Sequence, residues 1–593
     1  MPMSLASPLN RIALLLWSAI AVLPFLSHLH YLPQPQWWGE SSVIWLTIGA
    51  WIFSRPGGQA VWPRASFWLL AMALLWALQP WLVSLEFPGM NAATALAFVA
   101  MALLAGVTAD LQQRFGLAVL ARSLAWALLV GALLQSLIGL AQLVGLAQHS
   151  GGLLFYDSSH PTTNIFGHIG QRNQYAHYLA WGMCGAALLY ARRAVPGMAF
   201  LAVLVWLGLS IAWAGSRTVL LYAVAIAVLA LWWHWRLRSD DSRRFLQAFG
   251  AVALAIVLLQ FVPLIVNHVM ALFSPGGGSV ASGLERLASN GDAMGGRRFT
   301  EWHKAWLVFR AHPWFGVGWS QYGAQSVALQ MLPEFSHVSY NSGLFTNAHN
   351  LEIQLLAEMG GIGLLVVVGG FIWVVWPFVG ARPEPEHLLP VAVLAITLIH
   401  SQLEYPLWYL YFLAVLVMMG ALAPVVPTPL KGLAGWGGSA MALGLTALLV
   451  IYTPRYNELV SLYTPTGEAK SDAARSARLK TIVKNEPLLA FHALSCLDNY
   501  IGVSRERLAD NLAFTTQLAR FRPYPEVLLK QARLEALAGH QARAQETLHS
   551  ALASFPTYAP EFLDGLDEEE PAYAKLIEIT QQAYDALPEV YRR

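Results

Sequence analysis

Charge is scarce in this chain. Lys, Arg, Asp and Glu make up only 12% of 593 residues, while 56% are hydrophobic. A soluble protein carries roughly a quarter charged residues. Helices in hydrocarbon cannot solvate charge, so the deficit excludes a water-soluble fold for most of the length. Cysteine is scarcer still: Cys184 and Cys496, far apart, exclude a disulfide framework and argue against a thiolate metal site. No Gly-x-x-x-x-Gly-Lys-Ser/Thr loop is present, which removes support for ATP hydrolysis. No Asp-x-Asp pair suggests a metal-dependent enzyme using a nucleotide sugar, and no His-Glu-x-x-His suggests a zinc hydrolase. Asp240-Asp241 lies among arginines and reads as a solvated loop. No basic block points to nucleic acid, and the net charge of +2 says nothing about partners. Neither a metal nor a cofactor is expected.

What the chain has is apolar runs. Segments long enough to cross a bilayer, about 17–25 residues, recur at about 11–28, 42–54, 65–85, 92–109, 119–147, 173–191, 197–213, 217–235, 246–272, 348–379, 388–402, 406–424 and 435–453. The fold class is therefore all-α, a polytopic membrane protein of about thirteen helices. The first run follows Arg11 without a clean cleavage site and reads as a retained helix. Arg55 and Arg64, Arg114 and Arg122, Arg192 and Arg193, the Arg236/Arg238/Arg243/Arg244 cluster, Arg382 and Lys431 occupy every second short loop. The loops at 29–41, 86–91 and 402–405 have neither Lys nor Arg. The positive-inside rule then sets the amino terminus inside. An odd helix count puts the carboxyl terminus outside, together with the loops at 148–172 and 273–347.

After about Thr453 the composition turns charged and Ala/Leu-rich. The expected division is a membrane domain over 1–453 and an outer helical domain over 454–593. Arg520 to Pro556 reads as one helix-turn-helix unit, with Leu528, Ala532, Leu534 and Ala536, a Gly539 turn, then Ala542, Ala544, Leu548 and Ala551. That approximates a tetratricopeptide repeat, although one copy also fits plain helical packing.

The polar residues that can do chemistry gather at connections assigned to the outer side. His349 stands where a long loop re-enters an apolar helix, followed by Asn350 and, two turns on, Glu358. It reads as an interfacial polar residue or as a general base, since a neutral imidazole accepts a proton near pH 7. Arg217 opens a helix after a short turn; it either snorkels or offers its donor fork to phosphate. Arg297 and Arg298 precede Trp302 and Trp306, spaced for an interfacial amphipathic helix able to aim an arginine inward. Gln171, Arg172 and Asn173 lead into a helix, with Asn173 as a cap or a sugar contact. Tyr405, between Glu404 and Pro406, reads as an aromatic anchor or a ligand contact. Gly316-Val317-Gly318 is too short for a phosphate loop and reverses the chain after Pro313. Ionisable groups at one membrane depth are costly, and their agreement in side points to function.

Six strings carry a resemblance: FGHIGQRNQYAHYL (166–179), AGSRT (214–218), RRFTEWHKAW (297–306), HPWFGVGW (312–319), TNAHNLEIQLLAEMG (346–360) and HSQLEYPLWYLYFL (400–413). They resemble bacterial protein O-oligosaccharyltransferases of the pilin-glycosylating, neisserial type, which share a superfamily with O-antigen ligases and polymerases. The resemblance implies en bloc transfer of a preassembled glycan from an undecaprenyl-diphosphate carrier to Ser or Thr hydroxyls of pilin or another periplasmic protein. The enzyme would sit in the inner membrane with a periplasmic active site. It implies Gln171, Arg217, Arg298, His349 and Tyr405 as functional residues, flanked by Arg172, Asn173, Asn350 and Glu404. Arg217 and Arg298 would hold the diphosphate, His349 would take or orient the acceptor proton, and Gln171 and Tyr405 would place the reducing-end sugar or the diphosphate. The rivals are an O-antigen ligase using lipid A-core, a glycan polymerase, and a lipid-linked glycan transporter. A transporter would show paired broken helices and internal repeats, and the sequence shows neither.

Overall fold

The computed structural model describes residues 7–54, 61–263, 265, 293–336, 343–381, 384–430 and 433–592. Arg55, Arg382 and Lys431 of the charge pattern, residues 266–272 of the ninth apolar run, and 273–292 and 337–342 of the long outer loop lie outside them. The bundle runs α1 (Pro8–Ala19), α2 (Trp37–Phe53), α3 (Arg64–Leu78), α4 (Pro88–Phe115), α5 (Leu117–Leu143), α6 (Arg172–Ala191), α7 (Gly197–Ala214), α8 (Val219–Leu237) and α9 (Asp240–Leu259). Two loop helices follow, α10 (Ala293–Ala311) and α11 (Tyr322–Gln330), then α12 (Leu351–Leu364), α13 (Leu388–Ser401), α14 (Leu410–Ala421) and α15 (Leu433–Leu462). Among the described residues seven helical stretches are long and apolar enough to cross a membrane. α13 and α14 are apolar but shorter. α15 runs unbroken through Thr453 with Pro454 inside it, so the change of composition there falls within a helix.

Small residues set the closest contacts. A Cβ on Gly182 would collide with Ala132, and one on Gly185 would meet the Ala125 carbonyl oxygen at 2.6 Å. Backbones of α5 and α6 thus approach as membrane helices do when small side chains line the seam. At one end of the bundle the arginine-bearing turns bind carbonyls and carboxylates. Arg64 donates to Trp373 O at 3.1 Å, Arg236 to Phe378 O and Ala381 O at 2.9 Å each, and Arg192 to Asp241 at 2.8 Å. The two-residue strands Val61–Trp62 and Thr428–Pro429 pair antiparallel beside the arginine-bearing α3. The polar strings singled out above lie at the opposite ends of the same helices.

One helix is broken. Within α12, Gly360 adopts φ 67°, ψ −169°, which interrupts the hydrogen-bond ladder. The Gly316 turn repairs it: Val317 N–H donates to Ala357 O and Gly318 N–H to Glu358 O, both at 3.0 Å. In the other direction Gly361 N–H reaches Pro313 O at 2.8 Å. Every polar backbone group freed at membrane depth needs such a partner. The turn therefore does more than reverse the chain after Pro313. It is the patch on a broken helix, and Gln79 adds its amide to Phe315 O and Glu358 O. A π-turn at Leu365–Gly369 then carries the helix on to Gly380.

The carboxyl-terminal part is a stack of helical hairpins, α16 (Ala469–Asn485), α17 (Ala490–Asp498), α18 (Leu508–Phe521), α19 (Pro525–Leu537), α20 (Gln541–Ser554), α21 (Ala559–Asp564) and α22 (Ala574–Asp585). α19 and α20 form the helix-turn-helix expected between 520 and 556, turning at Gly539 with φ 79°. Leu528, Ala532, Leu534, Ala536, Ala544, Leu548 and Ala551 are buried as expected, whereas Ala542 faces outward. This stack rests on the site end of the bundle. Phe87 packs between Phe491 and Phe521, and Arg522 donates to Ser320 O at 2.6 Å.

Gly316 has φ 66°, and a Cβ there would strike the backbone of Glu358. Gly316→Ala should therefore lower the thermal unfolding midpoint of the detergent-solubilised protein by several degrees, in line with about 1–3 kcal/mol for forced left-handed geometry. Gly444→Ala, in open space on α15, should leave it unchanged or slightly raised.

Candidate active site

Two adjacent arginines on α10 have separate fates. In a helix successive residues point about 100° apart, so Arg297 and Arg298 face different neighbours. Arg297 faces inward, 5% exposed, with its Nε 2.9 Å from Glu301 Oε1 one turn on. Glu301 is fully buried and also accepts from the hydroxyls of Tyr322 at 2.8 Å and Ser326 at 2.6 Å. Lys304 lies 3.4 Å from the same carboxylate and donates to Gln330 at 2.6 Å and to Ser326 O at 3.0 Å. Burial pulls the Lys304 ammonium down to about 8 against the pull of Glu301. This network fixes α10 on α11, and Trp302 fixes it to the next string by donating to Ala348 O at 2.8 Å. Of the two tryptophans expected to anchor an interfacial helix, Trp302 is spent on that bond and Trp306 faces outward.

Arg298 is left to reach across. Its Nη2 donates to Glu404 Oε1 at 2.7 Å, while its Nε is buried without a hydrogen-bond partner. Glu404 stands in the turn between α13 and α14 and collects the other expected residues around it. Asn173 Nδ2 donates to Oε1 at 3.3 Å, and His349 Nε2 lies 3.8 Å from Oε2. The Tyr405 ring meets the His349 ring edge-on, with centroids 5.3 Å apart. His349 Nδ1 faces Asn347 O at 3.0 Å, which assigns the proton of the neutral ring to Nδ1 and leaves a lone pair on Nε2. The residue is held at φ 55°, a left-handed conformation that costs a non-glycine residue energy and concentrates at functional sites. Burial, then the positive charge of Arg298, draws the imidazole down to about 4. Burial raises the Glu404 carboxyl against the opposing pull of Arg298, and burial likewise raises the Tyr405 phenol.

The remaining expected residues flank this cluster. Asn350 caps α12 through its side-chain oxygen, 3.1 Å from Ile353 N, and donates to Gln402 Oε1 at 3.1 Å. Gln171, not Asn173, caps α6, accepting from Gln174 N at 2.6 Å; Asn173 is freed for Glu404 because it already lies in the first turn. The loop before the cap is held by buried amides of α5. Gln142 Oε1 accepts from Phe166 N and Gly167 N, and Gln135 Oε1 from His168 N. Arg172 is half-buried beside the cap. Arg217 is half-buried ahead of α8, after a turn made by left-handed Gly215. Tyr222, further along α8, has its ring 6.3 Å from that of His400, which lies one turn before Glu404. Arg298, His349 and Asn173 thus surround one carboxylate, with Tyr405 against the His349 ring, while Gln171 and Arg217 stand at the starts of α6 and α8 at the same end of the bundle. Two helices, α6 and α12, aim their amino termini at the spot, which favours an anion.

Sequence reasoning missed two features. One is the Glu301–Lys304 network, whose signal was two opposite charges three residues apart, on one face of α10. The other is a buried pair, His177 and His400, with Nδ1 atoms 2.7 Å apart. His177 lies four residues after Asn173 and His400 four before Glu404, so the pair is a second rung under the first. Behind Asn350 and Gln402 opens a cavity of about 650 Å³, walled by apolar residues such as Trp68, Met72, Phe371 and Leu449, with Glu352 and Gln402 at its polar rim. Among the described residues no three His, Cys, Asp or Glu side chains are grouped to hold a metal ion.

Glu301→Ala would strand Arg297 and Lys304 inside α10–α11. Removing one partner of a buried ion pair costs about 3–5 kcal/mol, so denaturant unfolding of the purified protein should show a loss of that size. Arg310→Ala, on the exposed face of α10, should change it by less than about 0.5 kcal/mol.

Comparison with known proteins finds glycan-transferring families. Residues 202–368 match the family described as O-antigen ligase, residues 165–190 a protein glycosylation ligase family, and residues 388–564 the carboxyl-terminal part of virulence factor membrane-bound polymerases. A general O-oligosaccharyltransferase of Acinetobacter baylyi is 28% identical over 287 residues, 48% of this chain and 47% of that protein. The alignment thus spans about half the length of the curated relative it matches. The two ligase matches cover five of the six strings, with Gln171 in one and Arg217, Arg298 and His349 in the other, so over these segments the chain is similar to the O-antigen ligase superfamily.

Proposed function

We propose that this protein is a glycosyltransferase, a protein O-oligosaccharyltransferase that moves a preassembled glycan from a polyprenyl-diphosphate carrier, undecaprenyl diphosphate, to Ser or Thr hydroxyls of pilin or another periplasmic protein. The observation that carries the reading is one guanidinium, with a buried unpartnered Nε, set beside an imidazole lone pair at the mouth of two helix amino termini. Transfer from a lipid diphosphate needs cations for the leaving group, a proton acceptor for a weak nucleophile, and alignment of the sugar. Arg298 and Arg217 serve the diphosphate as charge builds on it. His349 takes or orients the acceptor hydroxyl's proton, and Gln171 and Tyr405 place the reducing-end sugar. Arg172, Asn173 and Asn350 hold the frame of that subsite. A single direct displacement inverts the anomeric centre. The donor's own bond supplies the driving energy, and the arginines do the work a divalent metal does elsewhere.

The 650 Å³ cavity beside Gln402 falls in the size range of ligand pockets and suits the polyprenyl chain. The protein glycosylation match over 165–190 favours a protein acceptor over lipid A-core. The amino terminus faces the cytoplasm and the helical domain after α15 the periplasm, where it helps to present the acceptor. A transporter is disfavoured: α12 is the broken helix of the described bundle, and its break is sealed by the Gly316 turn.

Expression of the chain with a lipid-linked glycan and a candidate pilin should give a pilin mass shift equal to the glycan; a shift on lipid A-core instead would make the protein an O-antigen ligase. His349→Ala should lower transfer by about 10²–10⁴-fold with insertion intact, the usual worth of a positioned base. Arg298→Lys and Arg217→Lys should each slow transfer, since a point charge lacks the planar fork; wild-type rates in both remove the diphosphate assignment. A chelator should leave the rate unchanged. Because the His349 imidazole is drawn down to about 4, its neutral form persists well below pH 6.5. The acid limb of kcat/KM should therefore fall nearer pH 4 to 5 than 6.5, and a midpoint at 6.5 overturns the buried-base assignment.

A further inference from the structure

We propose that Glu404 is a catalytic residue gated by the donor: its carboxylate is neutralised by Arg298 in the empty site and becomes the final proton acceptor once the diphosphate takes Arg298. The inference rests on the reading above and adds a residue that the reading leaves as a flanking contact.

Three observations carry it. First, a carboxylate is a poor ligand for an anionic diphosphate, yet Glu404 stands at the centre of the cluster and holds the guanidinium meant for that diphosphate at 2.7 Å. Two anions then compete for one cation. Arg298 meets Glu404 through Nη2 alone and keeps Nε unpartnered, so an arriving phosphate finds one donor already free. Second, Glu404 Oε2 and His349 Nε2 are both proton acceptors and lie 3.8 Å apart. With Nδ1–H committed to Asn347 O, the two acceptors have no proton of their own to share. The gap is too long for a direct hydrogen bond, but one hydroxyl oxygen can sit about 2.8 Å from each. An acceptor Ser or Thr hydroxyl placed there has its single proton aimed at one of two lone pairs. Third, Asn173 donates to Oε1, the oxygen Arg298 also uses, which leaves Oε2 turned to the gap.

In sequence, the diphosphate draws Arg298 away and brings its own negative charge close. Loss of the counter-ion and gain of a like charge both raise the carboxylate's proton affinity. The acceptor O–H bond breaks, its proton passing to Glu404 Oε2 directly or by way of His349 Nε2. The hydroxyl oxygen's electron pair forms the new bond to the anomeric carbon. The bond from that carbon to the diphosphate oxygen breaks, and its electron pair leaves with the diphosphate. Departure of the diphosphate returns Arg298 to Glu404, which releases the proton to solvent. The base is thus assembled by the donor that needs it, and a site without donor holds a neutralised pair.

The test separates binding from transfer in the full-length protein, with farnesyl diphosphate as the probe for the diphosphate subsite. Glu404→Gln should bind farnesyl diphosphate several-fold tighter, because Arg298 loses its internal competitor, while glycan transfer drops by about 10²-fold or more. In an Arg298→Ala background the same substitution should tighten binding less than in wild type, since only the like-charge repulsion is then relieved. Transfer by Glu404→Gln within twofold of wild type overturns the proposal, as does a parallel loss of binding and transfer, the mark of a merely structural residue. Where Glu404→Gln does not fold, Glu404→Asp carries the test: withdrawing the carboxylate by one methylene should cost transfer while the probe still binds, and joint loss again overturns it. If Arg298→Ala alone leaves farnesyl diphosphate affinity unchanged, it is the diphosphate reading that falls, and the gate with it.

Discussion

The ion pair between Arg298 and Glu404 joins three parts of the chain that are remote in sequence: the loop helix α10, the turn between α13 and α14, and, through Asn173, the start of α6. A charge this close to an apolar bundle persists only with a partner, and stranding either member costs several kcal/mol. That requirement fixes where α10 can lie. The helix must bring Arg298 to Glu404 while its neighbouring face brings Arg297, Glu301 and Lys304 to Tyr322 and Ser326. Two polar faces about 100° apart leave the helix little rotational freedom. Residues 293–336 of the long outer loop are therefore held as a fixed part of the site.

Much of this was legible in the residues. Apolar runs locate helices because the bilayer forbids charge along them, and the arginine-rich turns gather at one end because carbonyls at helix ends there accept their donors. Arg297 and Arg298 stood out together beside Trp302, and the structure parts them: Arg297 pairs with Glu301, and Arg298 reaches Glu404. What sequence periodicity could not carry was partnership across hundreds of residues. Nothing local says that Val317 and Gly318 will repair a break at Gly360, since the break is a backbone event at one glycine and the repair uses main-chain groups. Gln171 as the cap of α6 was hidden for a related reason. Asn is the better capping residue by preference, but Asn173 lies two residues past the cap position and donates to Glu404 instead.

The site is built mostly from helix ends, and this shapes its electrostatics. Gln171 and Asn350 cap α6 and α12 with their own side chains, satisfying one amide each and leaving the positive ends of both helices facing the cluster. Arg298 adds a full positive charge to that field and Glu404 cancels it, so the empty site is close to neutral and compatible with its burial. An arriving anion finds a field arranged for it, with one internal carboxylate to displace. The left-handed backbone at His349 fits the same logic. The residue sits between the loop bond at Ala348, which both Trp302 and Gln354 hold, and the cap at Asn350, and these contacts hold its imidazole against Tyr405 and Glu404 at a local energetic cost.

The carboxyl-terminal hairpins bear on the site through the same strings. Arg522 donates to Ser320 O, two residues past the Gly318 that seals α12, and Phe87 is clasped by Phe491 and Phe521 just before α4 begins. The domain is thus fastened to the loop that repairs the broken helix and to the helix end beside Gln79, whose amide bridges both. The hairpins meet the bundle both at Ser320, beside the Gly316 turn, and at Phe87, beside the start of α4. Since that turn supplies the donors that hold Ala357 and Glu358, two turns along α12 from His349, the covering domain and the imidazole share one rigid connection and need no moving part between them.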